Sequence, residues 1–160
     1  MQDKNVILLA EDDSNDVLLL ERAFEKAGLR DSLKIVNDGE QTINYLSGKG
    51  IYADRAQFPL PFLVLLDLKM PIIDGFGVLQ WAKDQPDLKR LLVVVLTSSN
   101  LQADVDRAYE LGANSYLVKP VSFDEMVNLI KRFEIYWTEM NRTLSSPAPG
   151  KIFPSETTLV

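Results

Sequence analysis

Five short apolar runs punctuate the chain: Val6-Ile7-Leu8-Leu9-Ala10, Leu33-Lys34-Ile35-Val36, Phe62-Leu63-Val64-Leu65-Leu66, Leu91-Leu92-Val93-Val94-Val95-Leu96 and Tyr116-Leu117-Val118. Three of them lack any polar alternation, the pattern of strands buried on both faces in a parallel sheet. The segments between them have helical period. Residues 14–27 carry Val17, Leu20, Ala23, Phe24 and Ala27 at three- and four-residue steps, with Ser14 the expected N-cap and Gly28 the expected stop. Asp74 is placed to cap a helix holding Val78, Leu79 and Ala82 that ends before Pro86, and residues 102–111 form a shorter helix closed by Gly112. Ser122 caps a long one reaching about Met140. Five alternating βα units predict an open α/β sheet with helices on both faces and right-handed crossovers. All strand C-termini then share one edge, where such sheets bind ligands.

The residues absent from the chain narrow its chemistry. There is no Cys and no His, which excludes disulfides, thiolate and imidazole metal ligands, cysteine nucleophiles and Ser-His-Asp catalysis. The net charge of -6 argues against a nucleic-acid backbone as partner, and no apolar stretch reaches the roughly 18 residues of a membrane span. A soluble, cytoplasmic protein is expected. Its 160 residues suffice for one domain, placed at residues 1–144; residues 145–160, with Pro147, Pro149 and Pro154 among Ser, Thr and Gly, are expected to lack fixed structure. After Met140 only 20 residues remain, so output is expected by binding rather than through an attached domain. The link over residues 49–61 exceeds the usual roughly two to six residues and reads as a surface loop or a partner contact.

The ends of the apolar runs carry the chemistry. The first run ends in Glu11-Asp12-Asp13, the third in Asp67, the fourth in Thr97-Ser98-Ser99 and the fifth in Lys119-Pro120. Crowded carboxylates raise one another's pKa and need a cation to stay ionised. With oxygen donors alone, Mg²⁺ is favoured, and Mg²⁺ commonly shares its shell with a phosphate oxygen. Asp67 is the best nucleophile, because carboxylates form aspartyl-phosphates. Lys119 and the Thr97 hydroxyl are placed to hold other phosphoryl oxygens. Taken singly, each has an ordinary explanation: a turn or helix cap for Asp67, a solvated lysine, β-propensity for Thr97, a complement to the helix dipole for the acidic triplet. Their joint arrival at one sheet edge is what points to a site.

These stretches resemble the receiver domain of two-component response regulators over nearly the whole chain. The resemblance rests on Ile7-Leu8-Leu9-Ala10-Glu11-Asp12-Asp13, Leu65-Leu66-Asp67-Leu68-Lys69-Met70-Pro71 with Asp74-Gly75, Val95-Leu96-Thr97-Ser98-Ser99, and Gly112-Ala113 with Tyr116-Leu117-Val118-Lys119-Pro120. It implies a flavodoxin-like, doubly wound five-stranded parallel sheet of order 2-1-3-4-5 with five helices. It also implies phosphorylation of Asp67 by a histidine kinase or phosphotransfer protein, with Mg²⁺ held by Asp12, Asp67, the Lys69 backbone carbonyl and, through water, Glu11. By the same resemblance Thr97 and Lys119 hold the phosphoryl group, the Lys119-Pro120 peptide is cis, and Tyr116 turns inward as the surface of the fourth helix, fifth strand and fifth helix changes. Lys69 and Ser99 fall where similar receivers tune hydrolysis, and Asp13 is a helix-start charge.

The chain is also similar to small stand-alone regulators paired with phytochrome-type kinases. In the last helix Phe123, Met126, Val127, Ile130 and Trp137 form one stripe that Leu129, Phe133, Tyr136 and Met140 widen, an arc broader than one packed face needs, so this flank is expected to form a homodimer or partner surface. A haloacid-dehalogenase-type phosphatase would need a second Asp where Lys69 stands, a flavin carrier would need a phosphate cradle where the acidic triplet stands, and an adaptor working without phosphorylation would leave the acids unused. A phosphoacceptor that catalyses only its own phosphotransfer and dephosphorylation is the reading retained.

Overall fold

The computed structural model describes residues 5–144, and of residues 137–144 the backbone alone. The apolar runs form β1 (Ile7–Ala10), β2 (Leu33–Val36), β3 (Leu63–Leu66), β4 (Leu92–Thr97) and β5 (Ser115–Val118). The periodic segments form α1 (Ser14–Lys26), α2 (Gly39–Ser47), α3 (Gly75–Lys83), α4 (Gln102–Glu110) and α5 (Phe123–Leu144). All strand pairs are parallel, in the order β2-β1-β3-β4-β5. Alternate strand residues feed two cores. Ile7, Leu9, Leu63, Leu65 and Val94 pack under α1 and α5, while Leu8, Ala10, Val64, Leu66 and Val95 pack under α2, α3 and α4. Burial on both faces explains why these strands show no alternation.

Several local expectations are corrected. The N-cap of α1 is Asp13 rather than Ser14: its carboxylate accepts from the Asn15 and Asp16 N–H groups at 2.8 and 3.1 Å. The Asp74 and Ser122 caps hold, accepting from Gly77 N–H and Glu125 N–H. The flank of α5 is not free: Leu129 and Phe133 are buried, and Tyr136 packs against the same core. The helix as a whole packs against α1. Trp137 and Met140 lie outside the described side chains, and residues 145–160 outside the described chain. No described peptide is cis, so Lys119-Pro120 is trans, the geometry an X-Pro bond prefers by about 0.5–1 kcal/mol unless its surroundings override it.

The link over residues 49–61 is folded rather than loose. It contains a short 3-10 turn, Gly50–Ala53, and its Tyr52 and Phe58 rings pack on the buried Tyr45 of α2. Arg55 donates to the carbonyls of Tyr45 and Leu46 at 2.8 and 3.0 Å, fastening the link to the last turn of α2. Burial pushes the Tyr45 hydroxyl up to about 12, and it donates to the Pro59 carbonyl.

Candidate functional site

Register brings the acids together. Ala10 pairs with Leu66 across β1 and β3, so Glu11 and Asp67 are the next residues of two adjacent parallel strands. The Asp67 N–H donates to the Ala10 carbonyl at 3.0 Å, continuing the ladder one step beyond the strands. Likewise Thr97 pairs with Val118 across β4 and β5, and the Lys119 N–H donates to the Thr97 carbonyl at 2.8 Å. Four strand ends thereby deliver Glu11, Asp67, Thr97 and Lys119 to one edge. The first two and Thr97 are buried, at 1%, 7% and 1% exposure.

Ligand oxygens of Glu11, Asp12 and Asp67 lie within 4.8 Å of one another. The Lys119 ammonium answers them, donating to Glu11 Oε1, to Asp16 Oδ2 at 2.8 Å and to Asp67 Oδ2 at 3.4 Å. Burial pushes the Glu11 carboxyl up to about 7, assisted by the neighbouring Asp67 carboxyl and opposed by Lys119. Burial works against the Lys119 charge, yet the hydrogen bonds it donates to Asp16 and Glu11 and the charge of Asp67 outweigh it and hold the ammonium above the usual lysine range.

The donor set fits a hard divalent cation. It offers oxygens alone, carries more negative charge than one ammonium balances, and its Asp12 side is exposed to water, which Mg²⁺ keeps in its shell. Asp12 and the exposed Lys69 line one hollow of ≈ 540 Å³ with Met70, Pro71, Asp74 and Asp104.

Two elements frame this hollow. Ile73 N–H donates to the Pro71 carbonyl at 2.8 Å, a tight three-residue turn that puts Ile72 at φ 70. A β-branched residue is strained there. On the other side, Ser99 Oγ donates to Asp104 Oδ2 at 2.6 Å and accepts from Leu101 N–H, fastening the loop after Thr97 to the first turn of α4. Tyr116 is half-buried; its hydroxyl donates to the Ser99 carbonyl at 2.9 Å and its N–H donates to the Tyr109 hydroxyl. Burial raises its pKa.

Glu11, Asp12, Asp67 and Lys119 meet in one cluster at this edge, Thr97 is buried at the end of β4 and Lys69 lies on the loop after β3, whereas Tyr116 sits within β5 and reaches the loop after β4 only through its hydroxyl. The residue missed is Asp16. A first-turn acid reads as a dipole complement, and its partner lies 103 residues away.

Comparison with known proteins gives a consistent result. The family model described as response regulator receiver domain matches residues 7–131. The chain is 37% identical over 149 residues to the probable methanogenesis regulatory protein FilR2 of Methanothrix harundinacea, covering 93% of this chain and 92% of that one. It is 38% identical over 143 residues to the response regulator Rcp1 of Synechocystis, covering 89% and 93%. Among solved structures, the phosphorylated cyanobacterial phytochrome response regulator RcpA is similar with a TM-score of 0.77 at 32% identity, covering 91% of this chain and 100% of that one. The Mn²⁺-bound form of Rcp1 is similar with a TM-score of 0.72 at 36% identity, covering 91% and 99%.

Proposed function

The chain belongs to the response regulator receiver domain family of two-component systems, and from that premise we propose that Asp67 is its phosphoacceptor, with residues 1–144 the signalling unit. The observation that carries this reading is the meeting of the Glu11, Asp12 and Asp67 oxygens within 4.8 Å, with Lys119 donating to the same acids. An Asp67 oxygen forms the bond to phosphorus as the bond from phosphorus to the donor's leaving atom breaks, and the electron pair departs with the donor. Asp12, Asp67, the Lys69 carbonyl and, through water, Glu11 would hold Mg²⁺. When bound, the ion neutralises charge on the attacking and transferring oxygens. Thr97 donates its hydroxyl and Lys119 its ammonium to the other phosphoryl oxygens. The chain catalyses only its own phosphorylation and dephosphorylation. It works in the cytoplasm, where its donor is a histidine kinase or phosphotransfer protein. The likeness to RcpA, described as a phytochrome response regulator, supports a phytochrome-type kinase.

Output runs through Tyr116 and the face made by α4, β5 and α5. There a groove of ≈ 590 Å³ is lined by Tyr116, Val118, Pro120, Glu125, Leu129 and Arg132. Val118, the last residue of β5, and Val121 just beyond it are exposed. The occupant is a protein, a downstream target or a second copy of this chain. Nucleic acid is disfavoured by the net charge of -6.

Intact mass after incubation with acetyl phosphate and Mg²⁺ tests the assignment. Wild type gains one phosphoryl group and releases acetate, whereas Asp67→Asn gains none. Equal gain in both, or no gain in wild type, contradicts it.

A further inference from the structure

Lys119 has three N–H donors and, in the resting chain, three carboxylates take them. The contact with Asp67 is the longest of the three, at 3.4 Å, so for the ammonium to close on a phosphoryl group carried by Asp67 one of the two shorter contacts, to Glu11 or Asp16, has to lengthen. Glu11 is poorly suited to do so. It is 1% exposed, its other oxygen already accepts from the Asp13 N–H, and it has no water to return to. Asp67 is the acceptor itself. Asp16 is different: its side chain is 36% exposed and loses little on rehydration. It is also well placed to hold. Its N–H is anchored to the Asp13 cap, which fixes the first turn of α1 and sets Asp16 Oδ2 2.8 Å from Lys119 Nζ, closer than Asp67 at 3.4 Å.

We propose that Asp16 is a positioning residue that competes with the phosphoryl group for Lys119: it holds the ammonium toward α1 in the resting chain and must release it when Asp67 is phosphorylated. Asp16 therefore opposes phosphorylation, acting through Lys119 rather than by touching the donor. This rests on the phosphoacceptor reading above. Neutralising Asp16 also removes a charge that repels an anionic donor, and that part of the effect does not depend on Lys119. A double-mutant cycle separates the two contributions.

The test compares acetyl phosphate phosphorylation, followed by intact mass at fixed Mg²⁺, in wild type, Asp16→Asn, Lys119→Gln and the double variant. Asp16→Asn reacts about two- to fivefold faster than wild type, the factor that a half-exposed ion pair carries. In the Lys119→Gln background the same substitution gives a smaller acceleration. Beryllofluoride, a phosphoryl mimic, binds Asp16→Asn more tightly by the same factor, a readout that a merely structural role of Asp16 would not move. Asp16→Ser, whose side chain is shorter, repeats the acceleration and guards against a fold defect in the first variant. An Asp16→Asn chain that reacts no faster, or an equal acceleration with and without Lys119, overturns the role of Asp16 alone. A wild type that takes up no phosphoryl group overturns the phosphoacceptor reading and this inference with it.

Discussion

Lys119→Met is expected to lose about 3 kcal/mol of stability above about pH 7 in the absence of divalent metal, because it leaves the buried Glu11 and Asp67 carboxylates without their cation. The loss depends on pH with a definite sign. The Glu11 carboxyl titrates at 4.5 when exposed and about 7 in the fold, so the folded chain holds the proton more tightly. Stability therefore falls as pH rises from 4.5 toward 7 and is level beyond. Without Lys119 the fall is deeper and extends to higher pH, since the ammonium lowers the Glu11 pKa. Urea unfolding across this range should show variant and wild type converging below 4.5, with Mg²⁺ narrowing the gap at neutral pH. A gap as wide in acid as at neutral pH would mean that the lysine stabilises by packing and not by charge.

The second large effect concerns Gly75, the first residue of α3. Its N–H donates to the Leu68 carbonyl at 2.9 Å, and a Cβ there would stand 2.4 Å from the Asp67 carbonyl oxygen and 2.8 Å from the Leu68 Cα. Both are backbone atoms of the segment that carries Asp67, and backbone cannot swing aside as a side chain would. Gly75→Ala should therefore cost about 3 kcal/mol, the upper part of the usual range for overpacking. It should also slow acetyl phosphate phosphorylation of the folded fraction, because relief of the clash displaces Asp67. Unfolding midpoints and phosphorylation rates unchanged from wild type would contradict the close approach.

The inner strands β1, β3 and β4 are legible because burial on both faces leaves them without polar alternation, whereas the edge strands β2 and β5, only partly buried, show as short apolar runs; the residues at the ends of these runs are then readable from the sequence. Geometry finer than one residue is not. Ser14 and Asp13 are both good caps, and only the path of the chain into α1 decides that Asp13 accepts the two N–H bonds. Projection of α5 measured an apolar arc but carried no information about α1 lying beside it, so Leu129 and Phe133 read as free when they are core. The second helix was counted without being delimited; Asp38, accepting from Gln41 N–H, and Gly48 at φ 70 bound it. Arg55 left no pattern at all, since its acceptors are main-chain carbonyls. Asp16 was invisible for the related reason that its role is a contact between distant segments, which no local spacing records.

Acids from the ends of β1 and β3 are expected to form one divalent-cation site that includes Asp67. Anomalous scattering from crystals soaked in Mn²⁺ tests it directly. One strong peak is expected at coordination distance from Asp12 and Asp67 and from the Lys69 carbonyl, with Lys119 still beside Glu11. A peak elsewhere on the molecule, or none at these carboxylates at saturating metal, would contradict it.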